Sequence, residues 1–323
     1  MTNFGNGSMI GFAEPTTGEP LRHAGESLIA DNGTSYPIID GIPRFVSSDN
    51  YANGFGLEWK IHSTTQLDSH TGTTISADRL ERCLGAPIAS LQGKRVLEAG
   101  CGAGRFTELL VGAGAFVHSI DLSVAVEANR QNIGERTNYL VAQADLRAPP
   151  FPAGAFDSVV CLGVVQHTPS PEASIAGLWR MLAPGGTLAI DHYTWSLSHV
   201  TKLAPLYRLA LLQIPPERAK TMTDALTRVF FPIHWRVRHF RPAQMLLSRI
   251  SPCLVYFRAF PQLTYDQHFE FTRLDTFDHL TDYYKHLRTR GQIERVLRDL
   301  GAVDIVAKYA GNGVEARCRK PEA

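Results

Sequence analysis

Three glycines, Gly100, Gly102 and Gly104, stand in the string VLEAGCGAGRF between an apolar run and a helical pattern. Glycine at alternate positions in such a place lets backbone come close to a ligand, with the N-terminus of the next helix facing it. Asp121 ends the following apolar run, in SIDLS. A carboxylate there either accepts hydrogen bonds from two vicinal hydroxyls or caps the helix that SVAVEANR would form. His167 and His192 also follow apolar runs, in VVQHTP and AIDHYT, with Tyr193 beside the second. Imidazole titrates near neutrality and can take a proton from a hydroxyl or an ammonium during group transfer. His167 is the first choice for such a base, His192 the second, and Tyr193 a positioning group. Each histidine also reads as a loop residue satisfied by a backbone hydrogen bond.

These residues need elements that bring successive strand ends together. RVLEAG, FVHSID, NYLVAQAD, FDSVVCLG and TLAIDHY have strand length and apolar character; RFTELLVGAG, SVAVEANRQNI and PEASIAGLWRMLAPGG read as helices between them. Such alternation predicts a doubly wound α/β sheet, parallel over this stretch, with ligands at the carboxyl edge of its strands. GQIERVLRDLG has one apolar face, and VDIVAKY and GVEARCRK flank Gly311-Asn312-Gly313, a hairpin signal that brings the sheet to seven strands. The chain divides into a small β-hairpin appendage (1–50), a ligand-binding core (51–193), a helical insertion (194–290) and a closing helix and hairpin (291–323).

A dinucleotide fingerprint requires glycine at position 105, where this chain has Arg105. The spacing G-x-G-x-G, with Glu98 two residues ahead, instead resembles motif I of the class I S-adenosylmethionine-dependent methyltransferases. CLGVVQHTPSPEASIAGLWRMLAPGG resembles the stretch in which a strand ends at the cofactor and a Pro-Gly-Gly turn precedes strand five, with Gln166 departing mildly from the usual pattern. The match runs over about residues 92–193 and the C-terminal helix and hairpin, roughly half the chain. It implies a Rossmann-like methyltransferase sheet and S-adenosylmethionine as cofactor. Glu98 would face the methionine part, Asp121 the ribose, and Asp145 and Leu146 the adenine, although Asp145 is otherwise an ordinary loop aspartate. Cys101, Arg105, Phe106, Leu122, Leu162 and Gly163 complete the expected cofactor contacts.

SYPIIDGIPRFV, FGLEWK and DTFDHLTDYYKHLRT resemble, more weakly, bacterial methyltransferases of sugar and cell-envelope biosynthesis. In those relatives the first string often ends a zinc-ribbon-like module, but no cysteine precedes Cys83 here, so no metal is expected. Trp59, Tyr283, Tyr284 and His286 would then contact the acceptor; the last string also reads as a polar amphipathic helix.

Composition removes other classes. The 323 residues are 44% hydrophobic and 20% charged, with a net charge of +1, which is globular usage without a nucleic-acid signature. Five scattered cysteines without a C-x-x-C suit reduced thiols and a cytoplasmic protein. The opening MTNFGNGSMIGFAEP has no signal-peptide pattern, and no run is long enough to span a membrane.

Charge is uneven, however. Ten Lys or Arg against Glu217 and Asp224 give +8 between Thr194 and Phe260 and leave −7 elsewhere. A basic lid suggests an anionic acceptor, small or lipid-linked, with Arg236 and Arg238 foremost; a solvated helical face is the plainer reading. APLYRLALLQI is apolar enough to touch a membrane surface, though core packing also explains it. The expected function is methyl transfer to such an acceptor, with oxygen favoured and a homodimer compatible. A silent cofactor-binding subunit and a nicotinamide-dependent oxidoreductase are the rivals, the second disfavoured by Arg105.

Overall fold

The turn dipeptides near the N-terminus close a small sheet. The computed structural model describes residues 9–47, 50–196 and 201–322, so the opening MTNFGNGS lies outside it. β1 (Arg22–His23), β2 (Ser27–Ile29), β3 (Ser35–Ile39) and β4 (Ile42–Pro43) pair consecutively and antiparallel. This sheet docks on the edge of the main one. Arg44 bridges to Gln143, the Phe45 N–H donates to the Gln143 carbonyl at 2.8 Å, and buried Arg44 pairs with Glu127 at 3.1 Å. An edge that would otherwise present unpaired backbone is thereby covered.

Three helices follow: α1 (Asn53–Ile61), α2 (Asp68–Thr71) and α3 (Ile75–Leu84). The main sheet then begins with β5 (Arg95–Ala99), four of whose five residues are buried, as expected for a strand covered on both faces. α4 (Thr107–Gly112), β6 (Phe116–Asp121), α5 (Ala125–Ile133), β7 (Tyr139–Gln143), β8 (Phe156–Cys161), α6 (Pro171–Met181) and β9 (Leu182–Tyr193) continue the alternation. The Pro-Gly-Gly turn lies inside β9, where the β8–β9 register shifts between Phe156 and Ser158.

Beyond β9 come α7 (Ala204–Leu211), α8 (Pro216–Arg236), α9 (Arg241–Ile250) and α10 (Tyr265–Thr281), then α11 (Arg290–Asp299), β10 (Val303–Ala310) and β11 (Gly313–Arg319). The spatial order is β7-β6-β5-β8-β9-β11-β10. β11 lies antiparallel between β9 and β10, and the other neighbours are parallel. The chain leaves β5 for β6 on one side and returns to β8 on the other, so a crevice opens at the carboxyl ends of β5 and β8.

α10 packs against α8, α7 and α1, which sets it over that crevice. Capping boxes start both α10 (Thr264 with Gln267) and α11 (Thr289 with Gln292). Thr289→Ala should cost about 1 kcal/mol and lower the melting temperature by roughly 1–3 °C in calorimetry, without changing ligand affinity.

Candidate functional site

The glycine loop is held from both sides. The backbone N–H groups of Gly100 and Cys101 donate to the Ile120 carbonyl at 2.7 and 3.1 Å. The Gly102 N–H donates to Asp121 Oδ2 at 2.9 Å, while Asp121 Oδ1 accepts from the Ser123 N–H and hydroxyl. Asp121 is therefore not the cap of α5, whose N-terminus has no side-chain cap. Burial raises its pKa, and those hydrogen bonds oppose the rise. All three glycines have positive φ, and a Cβ at Gly100 would lie 2.2 Å from Val164 Cγ2.

Glu98 sits beneath the loop, buried, and does not line the crevice. Its Oε2 accepts from Thr107 at 2.6 Å and Ser119 at 2.8 Å, while Asn129 donates to Thr107 and accepts from Tyr139. Burial pushes the Glu98 carboxyl up to about 7. The residue expected to face the methionine part thus braces the loop through a polar chain, and its Oε1 has no hydrogen-bond partner among the described residues.

A cavity of about 610 Å³ fills the crevice. Gly100, Cys101, Gly102, Arg105, Phe106, Asp121, Leu122, Leu146, Leu162 and Gly163 line it; Gly104 does not, and turns instead toward Ile133 and Asn129. Asp145 does not; Arg147 grips both its oxygens, with Nε at 2.9 and 3.1 Å. Trp59 is part of the wall and lies against the glycine loop, its ring 3.1 Å from where a Cβ at Gly102 would stand.

The far half of the cavity is built by α1, α3, α10 and residues 254–260. Arg79, Arg82 and Arg105 bring cations; Glu58, Asp275 and Asp278 bring acids; Tyr256, Phe260 and Phe271 bring rings. Arg79 forms an ion pair with buried Asp191, which also accepts from the Gly163 N–H. Arg82 grips Glu315 with Nε at 2.9 and 3.1 Å and Nη2 at 2.8 Å. Burial, then Arg79, lowers Arg105 to about 10. Burial raises Asp275 to about 6 and, with Asp278 and Asp275 adding repulsion, holds Glu58 well above the carboxylate range.

His167 and Tyr193 line this cavity. His167 Nδ1 lies 3.1 Å from the Tyr284 carbonyl and 3.2 Å from Asp282 Oδ2, and its Nε2 has no hydrogen-bond partner among the described residues. Burial alone would lower the His167 pKa; the Asp282 hydrogen bond and the charges of Asp278 and Asp282 outweigh it, so the net direction is upward. Asp282 also pairs with Arg208 and Lys285. Donor atoms of His167, Asp278 and Asp282 come within 4.8 Å of one another, the spacing of a cation site, although those two cations already match the Asp282 charge.

His192 is not brought to the cavity. Its Nδ1 lies 2.8 Å from the Tyr193 carbonyl, and burial pushes its pKa down to about 4. Tyr283, Tyr284 and His286 are also outside the main cavity: α10 ends at Thr281, so they follow the helix rather than lying on its inner face. Tyr284 packs on Tyr51 and His286, and Tyr283 is 65% exposed. None of the ten cations of the insertion reaches the cavity. Arg238 stacks over Trp235 at 4.0 Å, and Arg236 is exposed. The lid instead contributes Asp275 and Asp278, which lie with Asp282 at i, i+3 and i+7, a one-face spacing already visible in DTFDHLTD.

Residues 97–190 match the family model described as "Methyltransferase domain". The chain is 38% identical over 102 residues to the ubiquinone biosynthesis O-methyltransferase of Thiobacillus denitrificans and 39% identical over 102 residues to that of Aromatoleum aromaticum. Each alignment takes in 30% of this chain and 44% or 43% of the relative, so the chain spans less than half the length of these proteins. A structure of an S-adenosylmethionine-dependent methyltransferase from Mesorhizobium loti is similar at 15% identity and a TM-score of 0.45, over 76% of this chain and 98% of that one. Strand order, glycine loop and family match agree: the chain carries a class I S-adenosylmethionine-dependent methyltransferase domain.

Proposed function

We propose that the protein transfers the methyl group of S-adenosylmethionine to a hydroxyl of a small acceptor, with His167 taking the hydroxyl proton. The observation that carries this reading is the His167 ring, fixed at Nδ1 by Asp282 and the Tyr284 carbonyl and unpartnered at Nε2 in the wall of a cavity that continues beyond the glycine loop. A silent subunit would not need that space or that imidazole.

The residues present fit the cofactor. The glycine loop brings backbone to the cavity, the Asp121 carboxylate reaches it from β6, and Leu122, Leu146 and Leu162 give apolar walls for a ring. Bound there, S-adenosylmethionine supplies a methyl group already activated on sulfonium. The chain then has to align the acceptor and accept its proton, and alignment supplies several kcal/mol of the barrier. Asp275, Asp278 and Tyr256 offer polar atoms to acceptor hydroxyls, while Phe260 and Phe271 exclude water. The anion-binding lid read from the sequence has no cation at the cavity to support it. A neutral, hydroxylated acceptor of sugar or phenol type suits these walls better, with Tyr193 as positioning group.

Acceptor-dependent formation of S-adenosylhomocysteine from S-adenosylmethionine, screened over sugars and phenols, tests the reading. Tight NAD binding without S-adenosylmethionine binding would end it. Asp121→Ala should weaken S-adenosylhomocysteine binding by about 1.5–3 kcal/mol in calorimetry, the worth of a hydrogen bond to a charged group. Unchanged affinity would show that the ribose is held elsewhere.

A further inference from the structure

The outer layer of the insertion is apolar where a protein surface is usually polar. Of nineteen exposed large hydrophobic side chains among the described residues, eleven fall between 203 and 250. α8 buries Ala219 and Phe231 together with polar Thr223, Thr227 and His234, and leaves Met222, Val229 and Ile233 exposed on its outer side. α9 buries nothing, and its Leu246 is 67% exposed; Leu206 on α7 is 62% exposed. These helices form one surface. The Leu203 N–H donates to the Arg249 carbonyl at 2.7 Å, the Tyr207 hydroxyl to that of Ile250 at 3.3 Å, and Gln244 meets His234 at 2.9 Å. Exposed apolar side chains gathered on neighbouring helices in this way mark an interaction site.

The charges on the same helices say what covers it. Arg218, Arg228, Arg236, Arg241 and Arg249 are exposed. The ion pairs of this segment use Arg208, Lys220 and Asp224 instead, so those five cations have no carboxylate partner among the described residues. Glu217 is the one exposed acid between 201 and 250. A second copy of this face would set the arginines against themselves. A negatively charged lipid surface matches both features, because arginine stems extend along apolar side chains while their heads reach phosphates.

A second cavity, of about 240 Å³, opens beside this layer. Leu212, Ile214 and Pro216 line one side of it and Tyr51, Phe55 and Glu58 the other, and the last three also line the main cavity. The apolar face thus adjoins a cavity that shares three wall residues with the main one.

We propose that the face built by α7, α8 and α9 docks on an anionic lipid bilayer. It lies outside residues 97–190 and is independent of the assignment of the cavity.

Sedimentation of the full chain with vesicles tests it. With phosphatidylcholine containing 30% phosphatidylglycerol most of the protein should pellet, and with phosphatidylcholine alone little should. Each arginine near an anionic surface strengthens partitioning about fivefold, so 0.5 M NaCl should release much of it. Leu206→Glu with Leu246→Glu, and separately Arg241→Glu with Arg249→Glu, should each reduce binding at least tenfold. Both pairs are exposed, and S-adenosylhomocysteine affinity in calorimetry reports that each variant is folded, a readout that also separates failure here from failure of the methyltransferase reading. A wild type that stays in the supernatant with anionic vesicles overturns the proposal. So do variants that pellet like the wild type, or a dimer that the Leu206→Glu, Leu246→Glu pair dissolves while vesicles bind nothing.

Discussion

His167→Ala should lower kcat by about 10²–10⁴ while leaving S-adenosylhomocysteine affinity within twofold or so, because a general base contributes that much to the chemical step and little to cofactor binding. The pH profile should identify the group. The neutral imidazole is the base, so kcat should rise as pH climbs through the His167 pKa. That pKa lies above the ordinary histidine value because the Asp282 hydrogen bond and the nearby acids outweigh burial. Asp282→Asn removes the largest raising cause, so the acidic limb should move to lower pH and kcat should fall through lost ring orientation. It also removes the carboxylate paired with Arg208 and Lys285, so the milder Asp278→Asn, which removes a charge but no hydrogen bond to the ring, should shift the limb in the same direction with the fold intact. Full kcat in His167→Ala would mean that the proton leaves by another route, with Asp275, raised by burial to about 6, the next group to test.

What could be read in advance follows from how local each signal is. Strands buried on both faces announce themselves as short apolar runs, and all five of the first ones lie where those runs stand. Gly100 and Gly102 are legible because backbone in the left-handed region is costly for other residues. Asp121 is legible because a strand end at the sheet's carboxyl edge has one place to go. Long-range pairing is not local. Nothing in AIDHY says that Asp191 will meet Arg79, 112 residues away; the turn of Arg147 onto Asp145 and of His192 onto the Tyr193 carbonyl is local, but no apolar period records it. The basic insertion misled for a related reason: charge counts a segment and ignores its faces. α10 turns Asp275 and Asp278 toward the cavity, whereas the exposed arginines of α8 and α9 do not line it. DTFDHLTDYYKHLRT offers Tyr283 and Tyr284 either to an acceptor or to a polar helix; α10 ends at Thr281, so neither lies on it.

Gly100→Ala should be strongly damaging to the glycine loop. At φ +79° an L-residue is strained by roughly 1–2 kcal/mol. The new Cβ would also stand 2.2 Å from Val164 Cγ2 and 2.7 Å from Cγ1, and a β-branched neighbour has little rotamer freedom with which to give way. Overpacking of this kind adds about 1–3 kcal/mol, so the total is on the order of 2–5 kcal/mol. Gly100 N–H holds the loop to Ile120, and Val164 lines the same cavity, so relief by moving either one displaces the wall against which the cofactor rests. S-adenosylhomocysteine affinity should therefore fall by about thirtyfold to several thousandfold in calorimetry. The two causes can be separated in one double variant. Gly100→Ala with Val164→Ala removes the clash but keeps the strained dihedral, so it should recover part of the affinity and not all of it. Complete recovery would assign the whole loss to Val164, and no recovery would assign it to the backbone of the loop.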